Sequence, residues 1–408
     1  MINGKNILNR NLLILSFVSL LNDFSTDMVF PLLPTFIAVL GGGAVIVGVM
    51  EGLADSVAAF LRYFSGRASD RVGRRKTLAA MGYGLSAFAK IFYTGATHWT
   101  HVVTIRTTDR VGKGFREAPR DAILAESIPR AHWGFGFGFH RMMDTSGALL
   151  GPLACLILIH YMGTSELALR KIFLVAAIPG ILGLLLFFGL RETGPGERHS
   201  TEPQRFIPKE ALRGPLARYL LVAGVFTVGH LSVAFFVLRA TEIGLSLVSI
   251  IYLYIWYNAA EAVGSLPVGQ ITDRVGRRPV LTIALTAFAV TFGLASWSDL
   301  DSWWKLLPFF IFLGLARALR EGQGRAFVAE LTPGTMRATG FGAYHATIGL
   351  LALPAGYLAG RLWEIDFRWT FGVAGIACAM AALFFLYTWQ RGGFDRRVNN
   401  PGENQQPA

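Results

Sequence analysis

The chain has 408 residues, 53% of them hydrophobic and only 16% charged, with a formal net charge of +12 and a mean hydropathy of +0.46. Soluble domains carry about 25% charged residues, so this composition excludes one and points to a helical membrane bundle, in which the 46 glycines permit close helix contact. The positive charge does not mark a nucleic-acid binder, because the cations cluster in short segments between apolar runs, as the positive-inside rule expects.

A helix needs about 20 residues to cross a bilayer. On that rule the sequence predicts twelve spans, near residues 12–40, 46–66, 77–96, 100–120, 133–161, 170–190, 216–240, 245–268, 279–298, 303–325, 336–361 and 368–390. The first run is too long for a cleavable signal and holds two aspartates, so no signal peptide is expected. Spans 4 and 10 carry many charges, and they are counted because each has a counterpart in the other half.

Span 1 holds Asp23 and Asp27, four residues apart and therefore stacked on one face. Counting depth at about 1.5 Å per residue puts Asp23 near mid-membrane and Asp27 a turn further out. Span 2, running inwards, repeats the spacing with Glu51 and Asp55. Span 4 holds Arg106, Asp109 and Arg110, and span 5 holds His140, Arg141 and Asp144. An ionisable group inside a span costs about 2.5–3.5 kcal/mol on insertion scales. Four helices charged at one level are therefore expected to face a wet cavity or one another. Two accounts compete: a proton relay through Asp23, Asp27, Asp55 and Asp144, or a static ion-pair network holding the helices together. Two carboxylates about 6 Å apart in a poorly hydrated cavity resist double ionisation, so Asp23 and Asp27 are expected to titrate as a unit, with Arg110 as the cation that can neutralise them.

The two cysteines, Cys155 and Cys378, fall inside apolar runs, so neither a disulfide framework nor a zinc site is expected. No metal site and no cofactor is expected. Residues 191–214 form the one long polar stretch of the interior, with Pro195, Gly196, Pro203 and Pro208. They read as a cytoplasmic linker between a bundle at 1–190 and a second at 215–391, followed by a polar tail at 392–408. The second half is poorer in acids. Its spans hold His230, Glu261, Arg317, Arg320 and His345, and span 8 adds Tyr252, Tyr254, Trp256 and Tyr257. A substrate cavity is expected among Arg106, His140, His230, Tyr254, Tyr257, Arg317 and His345. Aromatic groups there suit apolar or cationic parts of a ligand, although an aromatic helix face is also ordinary packing.

The chain also repeats itself. Gly66-Arg67-Ala68-Ser69-Asp70-Arg71-Val72-Gly73-Arg74-Arg75 returns as Gly269-Gln270-Ile271-Thr272-Asp273-Arg274-Val275-Gly276-Arg277-Arg278, and the aspartates are 203 residues apart, half the chain. Arg110 to Gly114 matches Arg320 to Gly324, Ala122 to Glu126 matches Ala326 to Glu330, and Gly136 to His140 matches Gly340 to His345 with one insertion. The doubled G-x-x-x-D-R-V-G-R-R loop resembles the signature loop between spans 2 and 3, and 8 and 9, of the major facilitator superfamily of secondary transporters. That resemblance implies an all-α membrane protein of twelve transmembrane helices in two pseudo-symmetric six-helix bundles around a central cavity.

The resemblance extends to further motifs. Arg110-x-x-x-Gly114 is similar to the span 4 signature, whose arginine is implicated in proton transfer. Gly147-x-x-x-Gly151-Pro152 resembles the G-x-x-x-G-P signature of drug/proton antiporters. Physically, the two glycines allow close packing and the proline bends the helix. Pro31 and Pro34 fit another pattern of that group. The loop residues Gly66, Asp70, Arg71, Gly73 and Arg74, and Gly269, Asp273, Arg274, Gly276 and Arg277, are expected to form a conformational latch. In it the aspartates meet helix N-termini of the other half, and the arginines pair with inner-end acids such as Glu126 or Glu330. Anchoring to anionic lipid is a second role for the same cations.

The expected function is proton-driven transport of a small organic compound, in the export direction. A symporter importing an organic anion on Arg106, Arg110 and Arg317 is the alternative. A metal or metal-chelate carrier, suggested by His140, Met142, Met143 and Asp144, is weaker, because consecutive residues point around a helix. No G-x-x-x-x-G-K-[ST] loop is present, so a primary pump is not expected, and no nucleophile–base pairing suggests an enzyme. The expected partners are the substrate, protons and membrane lipid, with a monomer in a bacterial inner membrane and both termini cytoplasmic.

Overall fold

The computed structural model describes residues 8–72, 75–129, 133–191, 214–320, 323–332 and 337–394. The predicted linker and tail fall almost wholly outside the described residues. Among these, fifteen α-helices form twelve spans. Span 1 joins α1 (Arg10–Val29) to α2 (Leu33–Val39) through a 3-10 turn at Phe30–Leu32, because Pro31 and Pro34 lack the N–H that an unbroken helix needs. Span 2 is α3 (Ala44–Val72), span 3 is α4 (Arg75–Ala89) with a 3-10 turn, span 4 is α5 (Trp99–Ser127), span 5 is α6 (Trp133–Met162) and span 6 is α7 (Glu166–Phe188). In the second half, α8 (Pro215–Gly229) and α9 (Ala234–Glu242) form span 7, broken where span 1 is broken. Spans 8 and 9 are α10 (Leu247–Val275) and α11 (Arg277–Trp297). Span 10 is α12 (Trp303–Arg320) with α13 (Gln323–Leu331), and spans 11 and 12 are α14 (Arg337–Ile365) and α15 (Phe367–Gln390).

Eight of these segments are long and apolar enough to cross a membrane on length and composition alone. Spans 3 and 10 are interrupted, span 4 is rich in charge, and span 11 is rich in Gly, Tyr and His. Packing in the bundle completes what their own hydropathy does not. Side chains such as Leu185, Phe188, Ile376 and Leu383 point outwards and are exposed. Such a surface is costly in water and suits hydrocarbon. Local caps mark the loops: the side chains of Asn9, Ser165 and Ser246 accept from Leu12 N, Ala168 N and Ser249 N.

With an even number of spans the chain starts and ends on one face, here termed the inner face. The halves meet at the opposite, outer side, where spans 2 and 11 approach backbone to backbone. A Cβ added at Gly48 would lie 2.1 Å from the Gly356 carbonyl oxygen, one at Gly52 2.6 Å from that of Ala352, and one at Gly360 2.4 Å from Val45 Cα. The tips of spans 1 and 7 also touch, with the Thr35 and Thr241 hydroxyls 3.1 Å apart. Spans 5 and 8 complete the contact, Asn258 Nδ2 donating to the Ala148 carbonyl at 3.3 Å. Towards the inner face the halves part.

Candidate functional site

Between the halves lies a cavity of about 620 Å³. Its walls reach Arg120, Asp121, Phe137 and Arg325 near the inner ends of their spans, so it opens to the inner face and is closed on the outer side by the span 2–span 11 contact. Of the residues singled out in the sequence, Asp23, Asp27, Asp55, Arg110, His140, Asp144, His230, Tyr254, Tyr257, Arg317 and His345 line it. Arg106 does not. It is only 2% exposed, with Nε 3.3 Å from Glu51 Oε1, Nη1 3.8 Å from Asp109 Oδ2, and its guanidinium 4.8 Å from the Phe30 ring centre. Counting depth along a helix gives the level of a charge. It does not say which neighbour covers that face. Asp109 in turn lies 4.0 Å from Lys90 Nζ of span 3, so Glu51, Arg106, Asp109 and Lys90 form a buried polar layer through spans 2, 4 and 3.

Span 5 owes its position to its glycines. A Cβ at Gly147 would meet the Leu20 carbonyl oxygen at 2.3 Å, and one at Gly151 that of Phe24 at 2.6 Å. Span 5, which also contains Pro152, therefore lies directly on the backbone of span 1. That contact sets Asp144 against span 1, where it accepts a 2.5 Å hydrogen bond from Ser19. Asp23 accepts from Asn22 Nδ2 at 3.2 Å and lines the cavity together with Asp27 and Asp144. Asp27 instead accepts a 2.6 Å hydrogen bond from Tyr254 of the other half.

A polar chain continues from Asp144 across the cavity. Arg141 bridges Asp144 at 3.2 Å and Glu261 of span 8 at 3.3 Å. Arg317 then holds Glu261 at 3.4 Å through Nε and Tyr257 Oη at 2.5 Å through Nη1. Ser232 donates to Glu51 at 3.0 Å, a further link between the halves. Arg110, expected to neutralise the coupling acids, lines the cavity and makes no hydrogen bond or ion pair with any described residue. The i,i+3 spacing of Arg141 and Asp144 and the presence of Glu261 within a span were visible in the sequence, whereas the roles of Ser19 and Ser232 depend on packing between helices and left no local signal.

Gly73 and Arg74 of the expected latch lie outside the described residues, as do the surroundings of Gly66, Asp70, Arg71, Gly269 and the Asp273 side chain. Gly276 has φ +86, the left-handed conformation that lets span 8 turn into span 9. Next to these loops Arg75 pairs with Glu126, and Arg277 with Glu330 at 3.1 Å, in both cases within one half; Arg274 is exposed. Among the described residues, no group of three or more His, Cys, Asp or Glu side chains gathers to hold a metal ion.

The family model of the Major Facilitator Superfamily matches residues 15–256 and 220–408. An uncharacterised MFS-type transporter of Methanocaldococcus jannaschii is 34% identical over 390 residues, covering 93% of this chain and 95% of that one. The multidrug resistance protein MdtG of Salmonella arizonae is 25% identical over 320 residues, covering 75% and 77%. Among solved structures, the nucleoside transporter NupG superposes with a TM-score of 0.73 at 14% identity, over 93% of this chain and 99% of that one, a likeness of fold.

Proposed function

The chain belongs to the Major Facilitator Superfamily, and on that premise we propose that it moves a small organic compound by alternating access, coupled to protons and in the export direction. The observation that carries this reading is that Asp23 and Asp144, on spans that touch backbone to backbone, both line a cavity open to one side only. Two nearby acids in a poorly hydrated cavity resist double ionisation, and a proton held there is shed when water or a cation reaches the pair. Rocking of two six-helix bundles, residues 1–190 and 215–391 joined by a linker at 191–214, exposes the pair to each side in turn. The basic loops at Asp70 and Asp273 act at the inner face as the latch of the outward-open state. The membrane is a bacterial inner membrane, with both termini in the cytoplasm, where the Lys/Arg surplus lies. Export is supported by the likeness to a multidrug resistance protein and by the Gly147–Pro152 segment.

A second reading is uptake of an organic anion with protons. It is favoured by the cations on the cavity wall of the second half, where among the described residues Arg317, Arg320 and Arg325 face a single acid, Glu261.

The test is flux of a panel of labelled organic compounds in proteoliposomes under an imposed pH gradient. Accumulation of one compound that a protonophore abolishes supports the proposal, and the side of accumulation gives the direction. Accumulation that ignores the gradient overturns proton coupling.

A further inference from the structure

On the reading that this cavity is the transport site, we propose that the substrate is an organic anion whose oxyanion group is held between Arg110 of the first half and Arg320 of the second. The imidazoles of His140 and His345 act as further polar partners.

Most of the cavity cations have partners. Arg141 and Arg317 are engaged with Asp144, Glu261 and Tyr257, Arg62 and Lys113 share Glu117, Arg116 donates to Ser86, and Arg120 pairs with Asp121. Arg110 and Arg320 stand apart. Neither makes a hydrogen bond or ion pair with any described residue, and the Nε of each is buried without an acceptor. Arg320 stacks its guanidinium 4.9 Å from the Phe226 ring centre, which orients the fork without using its donors. Asp27 and Asp55 feel the charge of Arg110 yet do not pair with it. Buried donors in folded proteins are nearly always satisfied; here each Nε is not, while the rest of each half-buried guanidinium faces the cavity. A planar fork of N–H donors matches a carboxylate or phosphate-type oxyanion in two-point fashion.

The second observation is symmetry. Arg110 and Arg320 occupy equivalent places in the sequence repeat, and so do His140 and His345. His140 is 6% exposed with both ring nitrogens lacking a partner, and His345 Nδ1 lacks one too. All four line the same cavity. The repeat therefore delivers one arginine and one histidine from each half with uncommitted donors, an arrangement that chance packing of one helix would not duplicate. Of the three arginines that the sequence put forward for an anion it keeps Arg110; Arg106 is buried behind the wall, and Arg317 is committed to Glu261.

The rest of the wall describes the rest of the substrate. Phe226, Tyr254, Tyr257, Phe288 and Ile348 line the cavity, and its volume lies in the range that encloses a drug-sized ligand. The substrate is a small anion with an apolar, flat body.

The experiment measures thermal stabilisation and binding on the purified full chain. The probes are benzoate, phthalate and phenyl phosphate against the neutral benzamide and benzyl alcohol. At least one oxyanion is expected to raise Tm where the neutral compounds do not. Arg110→Gln and Arg320→Gln should each raise the Kd for that anion at least tenfold. Arg110→Lys and Arg320→Lys, which keep charge but lose the fork, should give intermediate losses. An unchanged ligand-free Tm shows that the variants are folded. The proposal is overturned if no oxyanion stabilises the protein, if a neutral compound binds as tightly, or if anion affinity ignores both arginines. Anion binding without gradient-driven flux would sink proton coupling and leave this inference standing. Gradient-driven flux of a neutral or cationic compound would do the reverse.

Discussion

The Tyr254 hydroxyl of span 8 donates a 2.6 Å hydrogen bond to Asp27 of span 1. The bond joins the two halves in the conformation closed on the outer side, so the rocking that opens that side has to break it.

Tyr254→Phe removes the donor and keeps the ring. A hydrogen bond to a charged group contributes about 1.5–3 kcal/mol, so the closed outer side should lose about tenfold or more in population. A cysteine placed at Thr241 should then react faster with an impermeant maleimide applied from the outer side. Unchanged labelling would show that the bond does not bias the equilibrium.

Asp23 and Asp144 should behave as one titrating unit. Asp23→Asn and Asp144→Asn are each expected to abolish gradient-driven accumulation while leaving energy-independent exchange of substrate, and the double variant should be little worse than the more severe single one. Asp27→Asn should act differently, mainly through loss of the Tyr254 bond, and combining it with Tyr254→Phe should add little. Additive losses for Asp23 and Asp144, or undiminished accumulation, would remove the shared proton from the mechanism.

The glycine contact of spans 2 and 11 makes a steric prediction. At Gly48 even a methyl group would overlap the Gly356 carbonyl oxygen, and overpacking of this kind costs about 1–3 kcal/mol. Thr35→Cys with Thr241→Cys should cross-link readily under oxidation, since the native hydroxyls are 3.1 Å apart. Gly48→Leu in that background should reduce the cross-link yield severalfold and hold the transporter open outwards. A yield indifferent to Gly48→Leu would mean that the outer closure does not depend on this contact.

The basic loops should lie on the cytoplasmic side. Cysteines at Ser69 and Arg274 are expected to escape impermeant reagents in intact cells and to react in inverted vesicles. Asp70→Asn should slow turnover severalfold without weakening substrate binding, because the residue lies at the inner face, away from the mid-membrane acids. Asp273→Asn should do less, since Pro279 stands where the first loop has Lys76. Normal turnover in both variants would dismiss the latch.

The fold was legible because the repeat is chemical as well as statistical: a D-R-V-G-R-R loop cannot sit in hydrocarbon, so two copies fix two turns and the spans on either side of them. The level of the charges was legible too, from helical rise. Their pairing was not. Ser19 meets Asp144 because Gly147 and Gly151 let spans 1 and 5 touch backbone to backbone, and that crossing is a property of two helices. Arg106 and Arg110 lie one turn apart on one helix, yet the first enters a buried polar layer with Glu51 and the second faces the cavity. No count along one helix separates them.

The Lys90–Asp109 approach bears on how the chain enters the membrane. Span 4 is not among the segments apolar enough to cross by composition, and Lys90 ends the helical part of span 3 at only 2% exposure. Inserted singly, each charge would cost about 2.5–3.5 kcal/mol at mid-bilayer. Inserted as a hairpin, the two arrive already 4.0 Å apart and partly neutralise one another, and Glu51 of span 2 is in place to receive Arg106. Spans 2, 3 and 4 are therefore expected to enter the membrane as a unit. Released alone, span 3 would carry Lys90 without its acid, and span 4 is expected to settle as a membrane helix when its neighbours hold it.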